Sequence, residues 1–272
     1  MSEGVMDREE RLLRLAESWP VPRNRAEYDR MVAEFLAEYG EYAYLCPEQF
    51  HLGGLATTVE LAEMAGIRPG LAVLDVACFL GGPARWLAAH RGCRVTGLDI
   101  DRGVIAAAKK LASFDPATDV EFVQGDALRM PFPAETFDVV WGQDAWPHRL
   151  GLFEECARVL RPGGVIAFTN SVLGESFRQR GELIYDAFTA EEYAQMLGDA
   201  GFTVTARENL SAFALNCWEE LLARMEREKD ELNERLGALR YNRELYELRG
   251  IVRDYRLDRI AHCRFVARKT RG

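Results

Sequence analysis

Short apolar runs alternate with segments of helical periodicity through most of the chain. The runs, rich in Val, Ile and Phe, predict strands at Ala72–Asp75, Arg94–Asp99, Val120–Gln124, Phe137–Gly142, Val165–Asn170, Thr203–Glu208 and His262–Arg268. Helical patterns between them predict helices near Pro83–His90, Gly103–Ser113, Gly151–Leu160 and Thr189–Ala200. This alternation is typical of βαβ units, so we expect a three-layered α/β fold around a doubly wound, mostly parallel sheet of seven strands.

Two helical segments lie outside this alternating pattern. Residues 1–60 hold polar helical turns and an aromatic-rich stretch, and residues 211–258 form a charged segment with apolar side chains at helical spacing. Gly237 and Gly250 predict a break of the second segment into a helical hairpin. We therefore divide the chain into an N-terminal segment (1–60), a core (61–210), an insertion between the last two strands (211–258) and a last strand (259–272). The insertion either packs on the core as ordinary helices or forms a lid.

Composition narrows the class of partner. The 272 residues carry a net charge of −9 with a pI near 5.2, which argues against a nucleic acid, because such affinity comes from Lys and Arg that neutralise phosphates. No apolar run approaches the ~20 residues of a membrane span, and no targeting segment is visible. The six cysteines include no CxxC pair, which is typical of reduced thiols. We expect a cytoplasmic monomer or homodimer that binds a small molecule, without a nucleic-acid or membrane partner.

The first predicted strand leads into a turn that contains glycine and then into a helix. The stretch from Val73 to Arg85 has this architecture, which directs backbone N–H groups and a helix N-terminus at a ligand. The next strand ends on Asp99, whose carboxylate oxygens can accept hydrogen bonds from both hydroxyls of a ribose. Asp99 alone could be a solvated carboxylate at a strand end. Together these features predict a nucleoside site.

From Ala65 to Ala206 the chain resembles the family of S-adenosylmethionine (SAM)-dependent methyltransferases. The family's motifs occur in order as Leu74–Gly82, Asp99, Gly125-Asp126-Ala127, Phe137–Trp141 and Arg161–Val165. The resemblance implies a Rossmann-like fold and SAM as the cofactor. It places the methionine part at Asp75 and Gly81, the ribose at Asp99, and the adenine at the Asp126 carboxylate and the Ala127 backbone N–H. The predicted cofactor-binding set is completed by Ala77, Phe79, Ile100 and Gln143.

The chain departs from the family pattern at Ala77 and Phe79, where glycines are expected. Glycine usually marks a positive φ or a close approach by a ligand. Because a bulky residue at positive φ costs about 1–2 kcal/mol, we predict that Phe79 keeps a negative φ and that the loop is shaped differently. We also predict that its ring packs beside the methionine chain or into the sheet.

Candidate catalytic residues follow the fourth strand, at the edge of the sheet where doubly wound folds bind ligands. His148 is our first candidate for a general base and Asp144 the second; His148 could also merely cap a loop. In the phosphoethanolamine enzymes that this segment resembles, a histidine at the matching place pairs with an N-terminal tyrosine. Tyr39, Tyr42 or Tyr44 could take that part, and Tyr44 enters the predicted set.

The predicted function is methyl transfer from SAM to a small molecule, by direct SN2 displacement. An amine is the favoured acceptor, because the closest subgroup resemblance is to sarcosine, dimethylglycine and phosphoethanolamine N-methyltransferases, with a looser likeness to sterol and tocopherol C-methyltransferases. No metal-ligand spacing is present, so no metal is predicted. A non-catalytic SAM-binding or interaction protein is the alternative. A nicotinamide-dependent oxidoreductase is less favoured, because the chain has no G-x-G-x-x-G.

Overall fold

The computed structural model describes residues 7–39, 49–116, 118–147, 149–174 and 188–270. The helices are α1 Arg8–Ser18, α2 Arg25–Tyr39, α3 Gly54–Met64, α4 Gly82–Arg91, α5 Arg102–Ala112, α6 Leu152–Val159, α7 Ala190–Asp199, α8 Ser211–Arg227, α9 Lys229–Leu236 and α10 Ala238–Arg256. The strands are β1 Ala72–Val76, β2 Arg94–Asp99, β3 Val120–Gln124, β4 Phe137–Gln143, β5 Leu160–Leu173, β6 Phe202–Asn209 and β7 Ile260–Lys269.

One sheet organises the described part of the chain, with the strand order β3-β2-β1-β4-β5-β7-β6. The pairs β1–β2, β1–β4, β2–β3 and β4–β5 are parallel, and β7 lies antiparallel between β5 and β6. The direction of winding reverses between β1 and β4, so the carboxyl ends of these strands border a topological switch point. The predicted α/β class, the doubly wound sheet, the N-terminal helices and the helical insertion before the last strand are confirmed.

The central strands bury alternate side chains in two helical layers. Leu74 and Val140 pack in the layer that contains α6 and α7, whereas Val73 and Val139 pack in the layer that contains α3, α4 and α5. This follows from the strand itself, because successive side chains point to opposite faces of a sheet. β1 is buried along its whole length, as expected of a parallel strand covered on both faces. The sheet therefore holds the carboxyl ends of β1, β2 and β4 on a rigid base.

The insertion between β6 and β7 consists of α8, α9 and α10. Gly237, with a φ of +79°, separates α9 from α10 as predicted. Gly250 does not break the helix and lies inside α10. The side chains of Leu248 and Val252, on either side of it, are buried and pack this part of α10 in place. The other break falls at Glu228. None of the described helices is apolar enough over a sufficient length to cross a membrane.

The insertion and the N-terminal helices share one apolar cluster beside the switch point. Phe35 of α2 and Met225 of α8 are both completely buried in it. Arg240 of α10 pairs with the buried Glu244 at 2.8 Å and also donates to the backbone carbonyl of Ala37 at 3.0 Å. The insertion is thus anchored to α2, while its separation as a domain remains a prediction.

Gly142 shows how tightly the end of β4 is packed. A Cβ at this position would overlap the indole ring of Trp146, whose Nε1–H donates to the Val76 carbonyl at 3.1 Å in the core. We expect Gly142→Ala to lower the free energy of unfolding by about 3 kcal/mol, as overpacking of a core does, in urea denaturation. The control is Gly198→Ala in α7, where no atom lies within 4 Å of the added Cβ; it should raise the free energy of unfolding by about 1 kcal/mol. Similar effects of the two substitutions would contradict this account.

Candidate functional site

A cavity of about 250 Å³ opens at the carboxyl ends of β1, β2 and β4, beside the switch point. Of the residues predicted from sequence, it brings together Asp75, Ala77, Phe79, Asp99, Ile100, Gln143 and Asp144. Gly81, Asp126 and Ala127 do not line it, and His148 and Tyr44 lie outside the described residues. Asp126 is exposed in the turn after β3, where its carboxylate accepts the Leu128 N–H at 2.9 Å. The adenine contact of Asp126 and the base role of His148 remain predictions.

The turn between β1 and α4 has the backbone of a glycine-rich loop. Ala77, Phe79 and Gly81 have φ values of +57°, +49° and +73°, so the predicted negative φ of Phe79 is wrong. Each non-glycine residue in this region costs about 1–3 kcal/mol and persists only where its surroundings hold it. The Phe79 N–H donates to Asp99 Oδ2 at 3.0 Å, which ties the strained turn to the end of β2.

The ring of Phe79 explains how the strain is offset. It packs against the rings of Tyr39, Phe50 and Phe35, with centroid distances of 4.8, 5.1 and 6.2 Å. Aromatic pairs of this kind contribute about 0.5–1.5 kcal/mol each beyond their burial. The ring therefore packs towards α2 and residues 49–54 and forms a wall of the cavity. Our alternative prediction, that it packs into the sheet, is wrong. Its place beside the methionine chain remains a prediction.

Two carboxylates with unused hydrogen-bonding capacity stand at the cavity. Asp75 is only 3% exposed, and its Oδ2 has no hydrogen-bond partner among the described residues. Burial, together with the neighbouring Asp99, raises the pKa of Asp75 to about 8. Asp99 accepts one backbone N–H on each oxygen, from Phe79 and Asp101, and burial also raises its pKa. Because an unpaired buried carboxylate is costly, the pair suits a ligand that brings a cation and hydrogen-bond donors.

Asp144 is the centre of a polar network at the other end of the cavity. Its carboxylate accepts the Leu52 N–H at 2.8 Å and the Thr169 hydroxyl at 2.5 Å, and it lies 3.2 Å from His262 Nε2. Burial opposes ionisation, but His262, His51 and the Thr169 hydroxyl outweigh it and hold the pKa of Asp144 far below its usual range. A carboxylate held in this way is a weak proton acceptor. Its contacts favour a role in positioning residues 49–54 against β4, β5 and β7.

His51 also lines the cavity, although our sequence analysis did not place it among the site residues. It is 7% exposed, and its Nε2 lies 2.9 Å from the hydroxyl oxygen of Thr58 on α3. That oxygen also lies 3.0 Å from Oε1 of Gln143. In the sequence, His51 is marked only by its place in an aromatic-rich stretch ahead of two glycines. Its partners come from α3 and from the end of β4, so the neighbouring residues did not indicate a site.

Comparison with known proteins identifies the matched part of the chain. Residues 74–168 match the family model described as "Methyltransferase domain". A sterol 24-C-methyltransferase of Gibberella zeae is 35% identical over 169 residues, which are 56% of this chain and 44% of that protein. Phosphoethanolamine N-methyltransferase 1 of Arabidopsis thaliana is 32% identical over 190 residues, 65% of this chain and 38% of that protein. The matches thus span less than half the length of these relatives.

A solved structure has the same fold. Phosphoethanolamine N-methyltransferase 2 of Haemonchus contortus, in complex with phosphomonomethylethanolamine and S-adenosylhomocysteine, gives a TM-score of 0.76 at 21% identity, covering 98% of this chain and 61% of that chain. At this identity the likeness concerns the fold alone. The family match, however, runs from β1 into β5 and includes Asp75, Asp99 and Asp144 of the cavity. Residues 74–168 therefore carry a methyltransferase domain.

Proposed function

We propose that this chain binds SAM in the cavity at the switch point and transfers its methyl group to a small molecule. The observation that carries the proposal is the pair of carboxylates at the carboxyl ends of β1 and β2, the buried Asp75 and the half-buried Asp99, beside a turn with a glycine-like backbone. When bound, SAM supplies a methyl group that is already electrophilic because it is attached to a sulfonium. The protein then has to bind SAM and the acceptor, orient them towards each other and exclude water.

The residues at the cavity fit the chemical groups of SAM. The unpaired Oδ2 of Asp75 suits the ammonium of the methionine part, and this would remove the cost of a buried carboxylate without a partner. Each oxygen of Asp99 accepts one backbone N–H, so each retains a lone pair for a ribose hydroxyl. Ile100, next along the chain, is 66% exposed and offers an apolar surface to an adenine ring.

The remaining walls suit orientation of an acceptor in a dry site. Tyr39 and Phe50 line the cavity beside Phe79. The contact between the Leu52 N–H and Asp144 holds residues 49–54, which include Phe50, against the end of β4. Orientation of two reactants alone can lower a barrier by up to about 7–11 kcal/mol. Alignment of the acceptor is therefore the main contribution that we assign to these residues.

An amine is the acceptor that we favour within this proposal. The aromatic ring of Phe50 at the cavity can attract an ammonium or a methylated ammonium. The similarity to a phosphoethanolamine N-methyltransferase supports an amine, while the similarity to a sterol 24-C-methyltransferase keeps a carbon acceptor as the competing choice.

Two measurements test the proposal. Isothermal titration should show binding of SAM and of S-adenosylhomocysteine and no binding of NADH. A labelled-methyl assay should then show transfer to phosphoethanolamine, sarcosine or dimethylglycine, in preference to a sterol. Binding of NADH without SAM would favour the oxidoreductase. Binding of SAM without transfer across a broad panel of metabolites would favour a non-catalytic SAM-binding protein.

The raised pKa of Asp75 makes cofactor binding proton-linked. With a pKa of about 8, Asp75 is mostly protonated at pH 7 in the ligand-free protein, and an ammonium placed beside it favours the carboxylate. Titration with SAM at pH 7 in two buffers of different ionisation enthalpy should therefore show release of up to one proton. The release should disappear in Asp75→Asn and, in the wild type, well above pH 8. Identical heats in both buffers would contradict the prediction.

A further inference from the structure

We propose that His51 is a catalytic residue of this methyl transfer and that its Nδ1 takes the proton released by the acceptor. The inference deepens the proposed function and rests on it. It concerns a side chain that lines the cavity, is fixed by one ring nitrogen and has the other ring nitrogen unpaired.

The order of the strands places His51 on the acceptor side of the cavity. Along the sheet edge, Asp99 ends β2, Asp75 is next to the end of β1, and Gln143 ends β4, with these strands adjacent in the sheet. Neighbouring strands are about 4.8 Å apart, so β4 lies roughly 10 Å from β2. His51 is joined to the β4 end through the hydroxyl of Thr58. A nucleoside bound at Asp99 therefore lies away from His51, and the methyl acceptor can bind near His51.

The hydrogen bonds of Thr58 determine which nitrogen of His51 carries the proton. The Thr58 oxygen is within hydrogen-bonding distance of Oε1 of Gln49, at 2.9 Å, and of Oε1 of Gln143, at 3.0 Å. A hydroxyl has one proton, and both carbonyl oxygens can only accept. When the hydroxyl donates to one of them, it accepts from His51, and this arrangement favours the tautomer with the ring proton on Nε2. The lone pair of the neutral ring is then on Nδ1.

The unpaired Nδ1 is what distinguishes a catalytic role from a structural one. The contact with Thr58 explains why the ring is held in place, but it leaves Nδ1 buried without a partner among the described residues, which is unfavourable for a polar atom. His262 also has an unpaired Nδ1, but it does not line the cavity and its Nε2 is next to Asp144. Of these two histidines, His51 is the one that lines the cavity.

The charged groups around His51 suit a base. Burial lowers the pKa of His51, Asp144 opposes this and His262 adds to it, so the ring is neutral at pH 7 and able to accept a proton. After it has accepted one, the imidazolium interacts electrostatically with the half-buried carboxylate of Asp144, which stabilises the positive charge. Asp144 thus acts through His51 as a positioning residue.

The proposed step is a proton transfer that precedes or accompanies methyl transfer. The N–H bond of an ammonium acceptor breaks, its electron pair stays on nitrogen, and the proton moves to the lone pair of His51 Nδ1. The nitrogen pair then forms the bond to the methyl carbon, while the pair of the carbon–sulfur bond remains on sulfur. The products are the methylated acceptor, the neutral thioether and an imidazolium that returns its proton to water.

The tautomer can be tested without knowledge of the acceptor. The nitrogen spectrum of protein labelled with ¹⁵N-histidine, with S-adenosylhomocysteine bound, is recorded at pH 7, and the His51 signals are assigned by their loss in His51→Gln. We expect a neutral ring with its proton on Nε2, and loss of this preference in Thr58→Val. A ring that is charged, or protonated on Nδ1, would overturn the proposal whatever the acceptor is.

The kinetic test uses phosphoethanolamine, sarcosine and dimethylglycine as acceptors. Loss of a general base lowers a rate by about 10²–10⁴-fold, so His51→Gln should reduce kcat at least ~100-fold, with the affinity for SAM retained. His90→Gln, at an exposed histidine stacked on Trp86 of α4, is the matched control and should retain wild-type kcat. A His51→Gln enzyme with wild-type kcat would overturn the proposal. Absence of transfer by the wild type would count against the amine acceptor and would leave the tautomer result standing.

Discussion

Replacement of Asp144 by alanine is expected to lower the free energy of unfolding by about 3–5 kcal/mol, because three groups lose their acceptor at about 1–3 kcal/mol each. The substitution leaves three groups without their acceptor: the Leu52 N–H, the Thr169 hydroxyl and His262. It also puts alanine at a φ of +59°, which aspartate tolerates better. Urea denaturation monitored by circular dichroism measures the change.

Two further variants separate the lost contacts from the backbone strain. Glu135→Ala replaces an exposed acidic side chain by alanine at a φ of +55°, and it should change the free energy of unfolding by no more than about 0.5 kcal/mol. Asp144→Asn keeps the shape and one acceptor oxygen, so its loss should be smaller than that of Asp144→Ala. A typical single substitution lowers the free energy of unfolding by about 1 kcal/mol. If Asp144→Ala lowers it by less than this, the Asp144 network does not hold residues 49–54.

The pH dependence of the difference between wild type and Asp144→Ala has a definite sign. The folded protein lowers the pKa of Asp144, so the stabilisation is complete above the ordinary carboxyl pKa of about 4 and is lost as the pH falls below it. The two free energies of unfolding should therefore converge in acid.

Replacement of Asp99 by alanine is expected to weaken SAM binding at least ~100-fold. Two hydrogen bonds from ribose hydroxyls to a carboxylate contribute about 1.5–3 kcal/mol each, and every 1.4 kcal/mol is a factor of ten in Kd. The same carboxylate accepts the Phe79 N–H, so its loss also releases the strained turn that lines the cavity. Isothermal titration of the variant with S-adenosylhomocysteine measures both effects without a catalytic step.

The control for Asp99→Ala is Asp101→Ser, two residues along the chain. Asp101 is the N-cap of α5, and its side chain accepts the backbone N–H groups of Gly103 and Val104. Serine caps a helix about as well as aspartate, so this variant removes a nearby charge and keeps the helix start. Its affinity should match the wild type. If Asp99→Ala binds S-adenosylhomocysteine with a Kd within threefold of the wild-type value, Asp99 does not bind the ribose.

The turn between β1 and α4 has a glycine-like backbone although two of its three residues with positive φ are not glycine. Phe79 has a positive φ and places its ring among Phe35, Tyr39 and Phe50. The turn is therefore coupled to α2 and to residues 49–54, in addition to the sheet. Loss of the N-terminal packing should consequently disturb the turn itself.

Local patterns in the sequence predicted most of the elements. The capping box of Thr189 and Glu192 is present at the start of α7, and α6 ends at Val159, just before Arg161-Pro-Gly-Gly. β5 is longer than predicted and extends to Leu173, because β7 pairs with it residue by residue as far as Ile260. Such pairing partners are distant in sequence, so the local pattern does not reveal where a strand ends.

The amino-acid sequence by itself determined the order of strands and helices, the acids at the ends of β1 and β2, and the resemblance to methyltransferases, because periodicity, turn residues and motif spacing are properties of neighbouring residues. The tertiary structure alone decided the φ of Phe79, the partners of Asp144 and the position of His51. Phe79 meets a ring from α2, Asp144 meets a side chain from β7, and His51 meets a hydroxyl from α3. These contacts join distant parts of the chain, and they exist only once the sheet has brought its strand ends together.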